Sequence, residues 1–284
     1  MKFIATSLFF LFVTAIAIAQ PESVPIRITQ SRHIPFEKTI FYKLGNKIIP
    51  IKISQYGKAK DVIYINVHDN ETTSVEAARS ILEINGGTLI KIENNKQRNI
   101  RFGFRNNYYS FDPNRIFSRQ GIEQTLKMNG RINKSVVDET EKFAQRLLQL
   151  FPDSTTCIVA LHNNTDGDFS INSYLHGNEK QFDAKAVFSH SFEDIDDIAL
   201  TTDSLIYQKM ADYRYNTIWQ HNKKKKKDGS LSIYCGERNM RYINIETEHG
   251  KLSQHIKMLE KLLDILAEEN ISSPKAFPIS IESN

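Results

Sequence analysis

Two histidines and a glutamate sit where a catalytic metal centre is easily built. His68 and Glu71 are three residues apart, in the run His68-Asp69-Asn70-Glu71 that follows the apolar stretch 61–67 (DVIYINV). His162 follows a second apolar stretch, 155–161 (TTCIVAL). A catalytic zinc takes three protein ligands of the His and Glu type and keeps a fourth position for water, whose pKa it lowers to about 7. His-x-x-Glu alone recurs by chance, and on that spacing by itself His68 reads better as a polar loop residue. Two later segments add weight. One is Asp112-Pro113-Asn114-Arg115. The other is Tyr242-Ile243-Asn244-Ile245-Glu246, a strand-like run that delivers a carboxylate ahead of the last helix.

The elements that must position these groups can be read from periodicity. Residues 38–54 alternate around Gly45-Asn46 and predict a hairpin. Residues 61–67 predict a buried central strand. Thr73 and Glu76 have the spacing of a capping box for a helix to about residue 85, stopped by Gly86-Gly87. Residues 88–93 predict a strand, and 99–111 two short strands around Asn106-Asn107. Residues 134–150 predict a helix, 155–161 a buried strand with His162 just past its end, and 205–213 a helix. Strands are predicted at 216–220, 231–235 and 241–245. Residues 251–269 predict an amphipathic helix with Leu252, Ile256, Leu259, Leu263 and Leu266 on one face. This alternation predicts a single α/β domain, with a mixed, mostly parallel central sheet and helices on both faces. Sites in such sheets gather at the carboxyl ends of the strands.

Taken in order, HDNE, DPNR, a strand-end His and a strand-end Glu resemble the zinc metallocarboxypeptidases, the carboxypeptidase A-like enzymes. They also resemble the related succinylglutamate desuccinylase/aspartoacylase branch. The likeness runs over about residues 60–265. It implies that His68, Glu71 and His162 bind zinc, and that Asp112 holds a zinc-bound imidazole, that of His68. It implies that Asn114 and Arg115 hold the substrate's terminal carboxylate, for which a planar guanidinium is well shaped. Glu246 would be the general base, with Glu248, two residues on, as its rival. A second arginine, Arg101 or Arg105, would polarise the scissile carbonyl. Tyr234 is a weak match to the family's mobile tyrosine and reads better as a core residue. The family's longer enzymes often carry His-Ser-Tyr at the third ligand, where this chain has His162-Asn163-Asn164.

The implied activity is hydrolysis of an amide or peptide bond next to a free carboxylate. The alternatives are deacylation of small N-acyl amino acids, and a metal- or peptide-binding module without catalysis. Residues 1–19 read as a cleaved signal peptide: a basic start, an apolar run and Ala17-Ile18-Ala19. Export makes peptides or peptidoglycan stem peptides the expected substrates, in a secreted or periplasmic setting, with no transmembrane span after cleavage. Residues 20–60 then form a lead-in and hairpin, 61–272 the catalytic domain and 273–284 a tail. The formal charge of +4 is too mild to point to nucleic acid. Cys157 and Cys235 lack the paired spacing of a zinc site, and pairing or two buried thiols are equally compatible with the sequence. The run Lys223–Lys227 reads as a solvated loop between two strands, and 193–197 as a solvated acidic loop without the spacing of a calcium site. Trp219 reads as core.

Overall fold

Alternation of apolar residues builds the first hairpin where it is expected. β1 (Pro35–Leu44) and β2 (Lys47–Tyr56) pair antiparallel across a turn at Gly45 and Asn46. The computed structural model describes residues 31–58, 60–165 and 169–268; the expected signal peptide and tail lie outside these. β3 (Val62–Asn66) follows, then α1 (Thr72–Asn85) and β4 (Gly87–Ile92). β2 pairs with β4, so the hairpin extends the main sheet. A two-stranded ribbon comes next, β5 (Ile100–Phe104) with β6 (Asn107–Phe111), then α2 (Arg119–Met128), α3 (Lys134–Leu148) and β7 (Cys157–Asn164). The chain continues through β8 (Ala184–Phe188), β9 (Ile198–Thr201), α4 (Ser204–Asp212), β10 (Thr217–Gln220), α5 (Leu231–Glu237), β11 (Tyr242–Glu248) and α6 (Leu252–Glu268).

Nine strands form one mixed sheet in the order β1-β2-β4-β3-β7-β11-β9-β10-β8. Its centre, β4-β3-β7-β11, is parallel throughout, and antiparallel pairs flank it. All eight residues of β7 are buried, as a strand covered on both faces requires. Helices cover both faces. One core joins α1, α4 and α6 to Val159, Leu161, Ile243 and Ile245. The other joins α2, α3, α5 and the ribbon to Ile158, Ala160 and Tyr242. Because side chains alternate along a strand, His162 and Glu246 project on the second of these faces, in phase with Ile158, Ala160 and Tyr242.

Several local expectations are corrected. The Thr73–Glu76 capping box does not form: Glu71 occupies the cap position without a side-chain cap, and Thr73 Oγ1 accepts from the Gly250 N–H at 3.0 Å. Residues 231–235 are helical, because α5 buries Leu231, Ile233, Tyr234 and Cys235 together beneath the sheet; tertiary packing outweighs the strand preference of a short run. His162 lies within β7 and not past its end. α2 carries little apolar signal and is set by the Ser118 side chain, which accepts from the Gly121 N–H. Trp219 is half-buried, stacked on Tyr207 with Lys185 over its ring, rather than core. Both cysteines are free and buried.

Candidate active site

The site forms where β3, β7 and β11 end. Asn66 donates to the Leu161 carbonyl at 3.1 Å, locking β3 against β7 just before the two histidines. His68 and Glu71 enter on the short link into α1, and His162 on β7. His68 Nδ1 lies 2.9 Å from Glu71 Oε1, His162 Nδ1 lies 2.8 Å from Glu71 Oε2, and the two Nδ1 atoms are 3.2 Å apart. All three side chains are buried. Donors round a tetrahedral zinc at ~2.0–2.1 Å stand roughly 3.3–3.4 Å apart. This buried triangle of two imidazoles and a carboxylate therefore needs to open by only a few tenths of an ångström, and the donor set fits the metal.

Asp112 fixes the first imidazole. Its Oδ1 lies 2.7 Å from His68 Nε2 and also accepts from the Asn114 N–H at 2.7 Å, capping the turn Pro113–Arg115. Nδ1 of His68 is thereby left to face Glu71 and His162. Burial alone would lower the pKa of His68, but Glu71 and Asp112 outweigh it and raise it. Burial likewise opposes charge on Glu71 and Asp112. The adjoining histidines hold Glu71 well below the usual carboxylate range, and His68 with Arg98 and Arg115 does the same for Asp112.

Glu246 faces the same cavity from β11. It is the register partner of His162 on the adjacent parallel strand, and Asn244 Nδ2 donates to it at 2.9 Å. Burial raises its pKa, with Glu71 adding to the rise and His162 opposing it. Glu248 lies farther along β11, paired with Lys251 at 3.1 Å. The cavity has a volume of about 450 Å³, and Asn114 and Arg115 are on its wall. Asn114 Oδ1 accepts from the Leu231 N–H, and Arg115 pairs with Asp228 at 3.1 Å.

The arginine beside the ligands is Arg98, not Arg101 or Arg105. Arg98 reaches Glu71 at 2.5 Å and Asp112 at 3.4 Å and lines the cavity. Arg101 lies over the Tyr108 ring, and Arg105 lies over Phe104 and donates to Ser135. A period-two strand carries Arg101 outward, whereas Arg98 sits on an irregular loop with no periodicity to reveal it. Asp69 holds that loop: it pairs with Lys91 and accepts the N–H groups of Asn94 at 2.6 Å and Lys96 at 2.8 Å. Asn163 is structural, accepting from Ser74 N–H and donating to the Thr247 carbonyl.

Two charged segments differ from their expected solvated state. The lysine run joins β10 to helix α5, not to a strand, and turns Lys225 into the cavity. Lys225 is held there by Gln220 Oε1 at 3.0 Å and Ser232 Oγ at 3.2 Å; farther along the same segment Gly229 has φ of 77°, and a Cβ on it would lie 2.4 Å from the Arg115 carbonyl oxygen. In the acidic segment Asp196 and Asp197 are buried, and burial pushes Asp197 up to about 6. Lys251 fills that cluster, 2.6 Å from Asp194 and 3.1 Å from Glu248.

No family model and no curated protein matches the chain. Solved structures with a related course include an aspartoacylase family protein from Mesorhizobium loti. It is 16% identical with a TM-score of 0.44, over 82% of this chain and 67% of that one. A provisionally named succinylglutamate desuccinylase/aspartoacylase family protein from Shewanella amazonensis is 10% identical, with a TM-score of 0.40 over 84% and 76%. A provisionally named metallopeptidase from the same organism is 10% identical, with a TM-score of 0.37 over 84% and 88%. These likenesses are distant, and what the site can do follows from its own side chains.

Proposed function

We propose that this chain is an exported zinc-dependent hydrolase that cleaves an amide or peptide bond next to a free carboxylate. The observation that supports this best is the grouping of His68, Glu71, His162 and Glu246 round one cavity whose wall also carries Asn114 and Arg115. Zinc, when bound, supplies Lewis-acid activation of water and of the scissile carbonyl. Glu246 takes a proton from the attacking water as the new C–O bond forms and the carbonyl electron pair moves to oxygen; it then gives that proton to the nitrogen, which leaves as the C–N bond breaks and the carbonyl re-forms. Its raised pKa brings it closer to the range in which a carboxyl both accepts and gives up a proton near neutrality. Arg98 is placed to face negative charge developing on the carbonyl oxygen. Asn114 and Arg115 receive the substrate's carboxylate. Export is supported by the apolar run and Ala17-Ile18-Ala19, and it makes peptides, including peptidoglycan stem peptides, the substrates to try first.

The test is zinc content and hydrolysis by protein beginning at Gln20, beside a Glu246→Gln variant. The panel is of peptides, stem peptides and small N-acyl amino acids. The expected result is about one zinc in both proteins, with turnover in the variant lower by on the order of 10²–10⁴-fold. Zinc binding without turnover of any substrate would make this a binding module. Absence of zinc binding would refute the assignment outright.

A further inference from the structure

A second and larger cavity, of about 760 Å³, opens beside the lysine run. No residue lines both cavities, and none of the candidate zinc ligands lines this one. The two meet at Gln220, which is buried and lines the second cavity while its Oε1 accepts from Lys225 at 3.0 Å. Lys223 and Lys227 line the second cavity with Arg119, Lys185 and Arg238, against a single lining carboxylate, Glu237. Arg119 is committed elsewhere, to Asp138 at 3.0 Å and Glu141 at 2.8 Å. Lys227 and Arg238 share Glu237, at 2.8 and 3.9 Å, and Arg238 also lies over the Tyr234 ring. Among the described residues neither Lys185 nor Lys223 has a carboxylate within ion-pair distance; Lys185 lies over the Trp219 ring, 3.8 Å from its centre.

With Arg119 set aside, four cations therefore face one carboxylate across a concave wall. Charges of one sign lining a cleft concentrate counter-ions there, and their mutual repulsion is relieved when an anion binds. The kind of anion follows from which charges are free. The two guanidiniums, whose planar forks best match a carboxylate, are already engaged. The available groups are ammoniums, point charges on flexible stems that suit the spread oxygens of a phosphate. We propose that this cavity is a binding site for a phosphate-bearing ligand with two or more negative charges, seated by Lys185, Lys223 and Lys227 beside Trp219.

Trp219 is the only tryptophan of the chain and lines this cavity, so its fluorescence reports on a ligand there. The probe is inorganic tripolyphosphate, titrated into protein beginning at Gln20, with citrate as a comparison of similar charge that also chelates metal. The expected result is a saturable change in emission, as drawing Lys185 off the indole produces. Tripolyphosphate should bind on the order of tenfold more tightly than citrate. Lys223→Gln and Lys185→Gln should each raise Kd by on the order of tenfold, as loss of one charge-assisted hydrogen bond does. Lys224→Gln, at an exposed neighbour that lines neither cavity, should leave Kd within about twofold, because salt screens a charge outside the site. No saturable change, equal affinity for citrate, or equal weakening by Lys224→Gln overturns the site. Co-sedimentation with phosphatidylglycerol vesicles then gives the source. Binding to vesicles that Lys223→Gln abolishes assigns the site to a lipid headgroup, and tripolyphosphate binding without co-sedimentation assigns it to a soluble phosphate.

Discussion

Replacing Asp112 with asparagine isolates one contribution to metal affinity. The Asp112 carboxylate has three partners: His68 Nε2 at 2.7 Å, the Asn114 N–H at 2.7 Å and Arg98 at 3.4 Å. Asparagine is as good a cap as aspartate, so the turn at Pro113 and the Asn114 contact survive. What is lost is the full negative charge that orients His68 and makes its Nδ1 a better donor. Removing such a partner costs about 10–100-fold in metal affinity, or about 1.4–2.7 kcal/mol. Competition against a chromophoric chelator at pH 7 measures this directly, with thermal unfolding of the metal-free proteins as the control for folding. Asp112→Ala should lose more, because it also removes the cap. An asparagine variant whose zinc affinity stays within about twofold of wild type would contradict the role given to this carboxylate.

Two further outcomes are expected. Arg98→Gln should lower kcat/KM by on the order of 10²-fold, as loss of an oxyanion donor does, while Arg101→Gln and Arg105→Gln change it little; steady-state kinetics on one peptide compares all three. His255 is buried behind β11 with its Nδ1 2.9 Å from Thr247 Oγ1, and burial, with the nearby His162, pushes it down to about 3. A histidine depressed in the folded state contributes stability that is complete above its unfolded pKa near 6.5 and is lost as pH falls from there toward 3. The loss is on the order of 3–5 kcal/mol. Denaturant unfolding of wild type and His255→Gln between pH 8 and 4 should show a shallower acid slope in the variant, and identical slopes would rule this out.

The frame of the fold is legible from the chain because its central strands are apolar runs with few alternatives. Residues 61–67 and 155–161 can be little else, and the groups immediately after or within such strands are bound to meet if the strands are neighbours. Asp112 is legible only through its company, since an Asp-Pro turn by itself signals nothing more than a turn. Arg98 escapes because its position depends on Asp69 gathering the backbone of the loop after β4, a contact with no one-dimensional trace. Lys225 escapes for a different reason. Five consecutive lysines read as solvent-facing charge, and the contacts that hold the middle one inward, Gln220 and Ser232, come from flanking elements. The strand expected at 231–235 fails because β-branched and aromatic residues at a short run's centre serve a buried helix equally well.

The register of β7 against β11 has a consequence for how this scaffold can change. His162 and Glu246 are paired positions on hydrogen-bonded parallel strands, so their spacing is set by the sheet, at about 4.8 Å between strands. The Lys223–Lys227 segment and the neighbouring turn at Arg115 lie on loops that the ladder does not constrain. On the proposed hydrolase reading, substrate preference and reaction chemistry are therefore separable inheritances in this chain. A graft of the 221–230 loop from another sequence could redraw what the cavity accepts while leaving the distance between His162 and Glu246 untouched.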